Sequence, residues 1–156
     1  NNSLVQRARF RELNDALRAC KAIEEYEPGD SVEFGGIEAS FHPVPHFIDT
    51  YAVNLSSGKG KLTYSADTRP GEELVEIARD ADLLLVEATL PRPERTGVRG
   101  HLTPEEAGEL ARRAGAKRVV ITHISDELGD EWAREQAERG FGGPVEVASE
   151  GAVYEV

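Results

Sequence analysis

Apolar positions recur along this chain with two different periods. Over Leu4–Glu25, the residues Leu4, Ala8, Leu13, Ala16, Leu17, Cys20 and Ile23 fall at roughly helical spacing, and Pro28-Gly29-Asp30 stops the run. Short β-prone stretches follow. Ser31–Phe34 and Ile37–His42 flank Gly35-Gly36, a hairpin signal. His42-Pro-Val-Pro-His46 reads as a loop, because its two prolines are poorly placed inside a strand. Thr50–Leu55 and Lys61–Ser65 form a second hairpin around Ser56–Gly60. Gly71–Arg79 reads as a short helix that buries Leu74 and Ile77, and Leu83–Val86 as a strand buried on both faces. Pro91–Gly100, with two prolines and two glycines, reads as a mobile loop. Thr103–Ala114 has the marks of a helix: Thr103 as cap, Pro104 at the first position, Glu105 and Glu106 at the positive end, and Gly115 after the last turn. Arg118–Thr122 is a further buried strand and Asp130–Arg139 a helix, and Val145–Ala148 and Ala152–Val156 are terminal strands. The order is hairpins first, then β-α-β-α-β. That predicts one α/β domain over residues 1–156, preceded by an N-terminal helical segment over 1–27.

Composition narrows the class. A chain of 156 residues, 39% hydrophobic and 30% charged, can bury a real core. No apolar run approaches the roughly 20 residues of a membrane-spanning helix, and the arginines of Asn1–Arg11 lead into no signal-type apolar segment. With a single cysteine, Cys20, no internal disulfide forms, so a reducing, cytoplasmic location is expected and no membrane partner. Asn1 is not an initiator Met, so sequence upstream is expected. The net charge of −11 opposes approach to a polyanion, although Arg92, Arg95 and Arg99 lie close together. A P-loop, a serine nucleophile elbow, a C-x-x-C pair and a G-x-G-x-x-G loop are all absent.

Chemistry gathers where apolar runs end. Lys61-Leu-Thr-Tyr-Ser-Ala-Asp67-Thr68 places a carboxylate just past a strand, before Pro70-Gly71. Asp67 there either caps the next helix or faces a cleft. Glu87 follows Leu83–Val86, and His123 follows Val119–Thr122. His101 precedes the capped helix at Thr103, and His46 sits in a loop before a strand. Imidazoles and carboxylates at strand ends are donors suited to Zn²⁺ or Mn²⁺, with Asp67 able to bridge two ions. Two ions roughly 3.5–4 Å apart generate hydroxide and stabilise a phosphoryl or acyl transition state.

Five segments in order carry a family resemblance: P-H-F-I-D-T-Y-A-V, L-T-Y-S-A-D-T-R-P, L-L-V-E-A-T, G-H-L-T-P-E-E-A-G and V-V-I-T-H-I-S. From about Asp30 to Val156 the chain resembles the C-terminal half of metallo-β-lactamase-fold hydrolases, nearest the ribonuclease Z branch. V-E-V-A-S-E-G-A-V-Y-E-V resembles the end of that fold. The resemblance implies half or most of a four-layer αββα sandwich, classed as α/β or α+β. It implies a binuclear metal-dependent hydrolase, a phosphodiesterase or related ester hydrolase using metal hydroxide. His46, Asp67 and His123 then match metal ligands, with Asp67 the bridge. His101 matches the histidine that protonates the leaving group, and Glu87 the carboxylate that orients it. His42 matches nothing and reads as a loop histidine.

The sequence departs from the family in three places. The ligand motif H-x-H-x-D-H is absent, and no two histidines here are two apart. The chain therefore supplies part of a site. Half a sandwich would leave one sheet face bare, so the N-terminal half of the fold, or a second chain, is expected to complete it; a homodimer is compatible with this. Only 20 residues separate His46 from Asp67, too few for the arm with which ribonuclease Z holds tRNA. Together with the acidic charge this argues against tRNA and for a small-molecule or other phosphodiester substrate. Val86 stands where that branch carries a histidine before Glu-Ala-Thr. A non-catalytic domain of the same fold, lacking a full metal site, is the alternative. A phospho-acceptor role for Asp67 leaves the histidines unexplained.

Overall fold

In the computed structural model, residues 26–27, 29–94 and 97–156 are described. The helix expected over Leu4–Glu25 lies outside them. Seven strands form one sheet in sequence order: β1 (Ser31–Phe34), β2 (Ile37–Val44), β3 (Thr50–Ser56), β4 (Lys61–Tyr64), β5 (Leu83–Glu87), β6 (Val119–Thr122) and β7 (Glu146–Val147). β1 to β4 pair antiparallel, and β4 to β7 pair parallel. Helices α1 (Glu72–Ile77), α2 (Pro104–Ala114) and α3 (Asp130–Phe141) make the parallel crossovers.

Two expectations are corrected. The reading of His42–His46 as loop fails at its start, because β2 runs through His42, Pro43 and Val44, opposite Ala52, Tyr51 and Thr50. Pro43 is tolerated because the β1 ladder ends at Ser31–Ser40, so the missing N–H costs no inter-strand bond on that side. Ala152–Val156 is not a strand. Gly151, at φ 78°, turns the chain out of the ladder after β7. Arg118 holds the tail instead: its guanidinium lies 5.5 Å from the Tyr154 ring centroid, and it donates to the Glu155 carbonyl at 3.3 Å.

One sheet face builds the core. Val44, Ala52, Leu84, Val86, Val119 and Ile121 pack against Leu74, Leu110, Ala111 and Ala137 of the helices. α2 is fixed at both ends as its sequence dictates. Thr103 Oγ1 accepts from Glu106 N–H, Glu106 accepts from Thr103 N–H, and Gly115 closes the helix at φ 70°. α2 and α3 cross at glycines. A Cβ on Gly108 would sit 2.1 Å from the Ala137 carbonyl oxygen, and one on Gly140 2.0 Å from that of Glu105. On the opposite face Phe41, Val53, Leu55, Leu62 and Leu85 are only partly buried, and Phe34 is exposed. An apolar, partly exposed face is what a sheet presents to a second layer.

Candidate metal centre

Because β4, β5 and β6 run parallel, their C-terminal ends share one sheet edge, where ligands collect in α/β folds. Asp67 follows β4, Glu87 closes β5, and His123 is the first residue beyond β6. Backbone at this edge is strained: Ala66 and His123 both have φ of 52°. For residues with a Cβ this conformation costs roughly 1–2 kcal/mol each. His46 arrives on the β2–β3 turn. That turn is pinned to the Asp67 loop through the Pro45 carbonyl, which accepts from Arg69 N–H at 3.0 Å and from the Thr68 hydroxyl at 3.3 Å. His101 arrives on the segment entering α2, where Arg99 donates to its carbonyl at 3.0 Å and forms a two-pronged ion pair with Glu106. Leu90 N–H bonds the Leu102 carbonyl, closing the loop between them.

All five residues singled out in the sequence meet here. His101 Nδ1 lies 3.0 Å from Glu87 Oε1, and His123 Nε2 lies 3.4 Å from Asp67 Oδ2. The His101 ring is 4.8 Å from that of His46 and 5.5 Å from that of His123. Asp67 caps nothing: Gly71 precedes α1, with no side-chain cap bond. His42 is no loop residue. Its ring bonds Ser40 Oγ at 3.0 Å and lies near Asn54, and neither partner belongs to the cluster.

Glu87 is the buried member, 1% exposed. Oε1 takes Thr68 N–H at 2.9 Å and faces His101. Oε2 takes Thr89 N–H at 3.2 Å. The Thr89 hydroxyl lies 2.8 Å from both Oε2 and the His123 carbonyl, and its one proton serves either. Ser65 Oγ in turn accepts the Glu87 N–H. The sequence reading missed Thr68, Thr89 and Ser65. A hydroxyl two residues after a strand-ending carboxylate is the signal that would have flagged Thr89. Burial, with the negative charges of Asp67 and Glu87, pushes the Tyr64 hydroxyl pKa up.

The donor set fits divalent cations. His46, Asp67 and His101 each offer one ligand atom, all within 4.8 Å of one another. The Gly100 carbonyl, 2.8 Å from His46 Nδ1, is an acceptor and so places the proton on Nδ1. That leaves Nε2 with its lone pair, the form in which histidine binds metal.

The fold is that of a metallo-β-lactamase-type domain. The match to the beta-lactamase superfamily domain over residues 3–124 makes this direct: the chain belongs to that superfamily. The fold implies divalent metal ions. Among the relatives is a probable metallo-hydrolase, YhfI of Bacillus subtilis, 28% identical over 130 residues, covering 83% of this chain and 53% of that protein. The crystal structure of the YhfI metallo-beta-lactamase fold protein superposes with a TM-score of 0.76 at 27% identity, over 83% of this chain and 52% of that one. Ribonuclease Z of Myxococcus xanthus is 42% identical over 100 residues, covering 62% of this chain and 33% of that enzyme. The chain thus spans between about a third and just over half of the length of these relatives. Among the described residues no helix is long and apolar enough to cross a membrane.

Proposed function

We infer that this chain carries one side of a binuclear hydrolase site acting on phosphodiesters or related esters. His46, Asp67 and His123 are the residues that would hold divalent ions, Zn²⁺ or Mn²⁺. Bound ions of this kind supply Lewis acidity and an activated water. In its doubly protonated form His101 gives the Nε2 proton to the leaving oxygen and keeps its Nδ1 proton on Glu87, which fixes the ring. The observation that carries this is the pair of buried Glu87 and part-buried His101 set beside two further histidines and Asp67. A carboxylate held by backbone and hydroxyl donors gives the imidazole one orientation and one tautomer. The remaining ligands come from the rest of the fold, on the same chain or a second one, and the apolar sheet face is where that layer packs. Similarity to proteins named ribonuclease Z puts RNA phosphodiesters beside small ones as substrates to assay, so the acidic composition does not decide against tRNA.

One geometric fact favours a second assignment. The ligand atoms of His101 lie as close to His46 and Asp67 as a shared ion requires, which would make His101 a ligand. His101→Ala in the intact protein separates the two. As proton donor, its loss lowers bis-p-nitrophenyl phosphate turnover by roughly 10²–10⁴ with metal content unchanged. Loss of metal from the variant refutes the donor role. Absence of both bound metal and any chelator effect on melting, in the intact wild type, supports the non-catalytic domain instead.

A further inference from the structure

Beside the cluster stands a residue to which neither ligation nor proton transfer gives a role. Phe47 follows His46 and is 55% exposed. Its ring lies 4.9 Å from that of His46 and 6.0 Å from that of His101. It is also seated. A Cβ on Gly100 would fall 2.2 Å from Phe47 Cε2 and 2.5 Å from Cζ, so the ring rests directly on the Gly100 backbone. The same glycine's carbonyl fixes His46. One peptide thus positions a metal-ligand candidate and an aromatic ring together, and leaves much of that ring facing solvent. Ile48, 73% exposed, extends the apolar surface.

We propose that Phe47 is a specificity residue: its ring is a stacking platform for the leaving group, and the site selects phosphoesters whose leaving group carries a flat aromatic ring. The placement follows from His101. The Phe47 and His101 rings meet in an edge-type arrangement with centroids 6.0 Å apart, so a ring attached to the oxygen beside His101 lies within reach of Phe47. Ring-on-ring stacking is tolerant of the ring's identity and is strongest when the protein ring is already held in place. The proposal rests on the hydrolase reading, because that reading puts the leaving group beside His101.

The test uses the intact, metal-loaded protein and two probes, phenylphosphonate and methylphosphonate, with binding measured by calorimetry. The wild type binds the phenyl probe about tenfold tighter than the methyl probe. Phe47→Ala removes that preference and leaves methylphosphonate binding within twofold, while Phe47→Tyr keeps the preference. A preference that persists in Phe47→Ala overturns the proposal, as does its absence from the wild type. Equal weakening of both probes with a large fall in melting temperature also overturns it, since the ring would then be packing against protein. Hydrolysis of bis-p-nitrophenyl phosphate is followed in parallel. If the wild type shows the binding preference but no turnover, Phe47 stacks aromatic ligands, but the hydrolase reading fails and the leaving-group role is overturned with it.

Discussion

Replacing Glu87 with Gln keeps the side chain's shape and removes half its capacity to accept. The wild-type carboxylate is 1% exposed, and every group around it is a donor: Thr68 N–H and His101 on one oxygen, Thr89 N–H and its hydroxyl on the other. An amide must point its NH₂ at one of these pairs. Toward Oε1's partners it meets two N–H groups. Toward Oε2's partners it meets the Thr89 N–H, but the Thr89 hydroxyl can turn its proton to the His123 carbonyl. The second orientation is therefore favoured, and it still loses two bonds to a charged acceptor. Each such bond is worth roughly 1.5–3 kcal/mol, partly offset because a neutral amide is cheaper to bury. The expected loss is roughly 2–4 kcal/mol, or a fall in Tm of roughly 5–15 °C. Urea unfolding, followed through the single tryptophan, Trp132, reads it directly. A double-mutant cycle with His101→Ala should show coupling of at least about 1 kcal/mol. A Glu87→Gln protein within about 0.5 kcal/mol of wild type would refute the account of Glu87 as a carboxylate held by four donors.

Ala66 sits at φ 52°, so Ala66→Gly relieves roughly 1–2 kcal/mol of strain against roughly 0.5–1 of added chain entropy; a small rise in Tm is expected, and a fall would show that the Ala66 methyl packs usefully. Gly108→Ala reverses the usual helix preference. Its new Cβ meets the Ala137 backbone at 2.1 Å, so unfolding measurements should show destabilisation of roughly 1–3 kcal/mol rather than the gain of about 1 kcal/mol seen at open helix sites. Burial opposes ionisation of Glu106, yet Arg99 and the Thr103 donors outweigh it and hold the carboxyl below its ordinary range. A depressed folded value contributes stability above the unfolded pKa and loses it as pH falls through the folded one. Glu106→Gln should therefore be less stable than wild type at pH 7, with the gap closing below about pH 5; an equal gap in urea midpoints at pH 7 and pH 4 counts against the ion pair and capping box.

Local chemistry made much of the fold legible. α2 was readable because its cap, its first-turn proline and acids, and its closing glycine act within a few residues of one another. β5 and β6 were readable because strands buried over most of their length carry runs of apolar residues, here Leu83–Val86 and Val119–Ile121. The errors arose where a distant partner decided. Pro43 stays in β2 because β1 has already ended beside it, and Ala152–Val156 leaves the sheet because Gly151 turns it toward Arg118.

By itself, the sequence singled out the candidate residues: Asp67, Glu87 and His123 follow apolar runs, His101 precedes a helix cap, and His46 sits in a loop before a strand. Tertiary structure alone decided that they meet. Parallel pairing of β4, β5 and β6 aligns Asp67, Glu87 and His123 on one edge, and the Pro45 and Gly100 carbonyls draw in the loops that bear His46 and His101. It also decided their states. Spacing along a chain cannot show that Glu87 is sealed from water among donors, or that His46 keeps its proton on Nδ1, because both depend on groups brought in from other strands and loops.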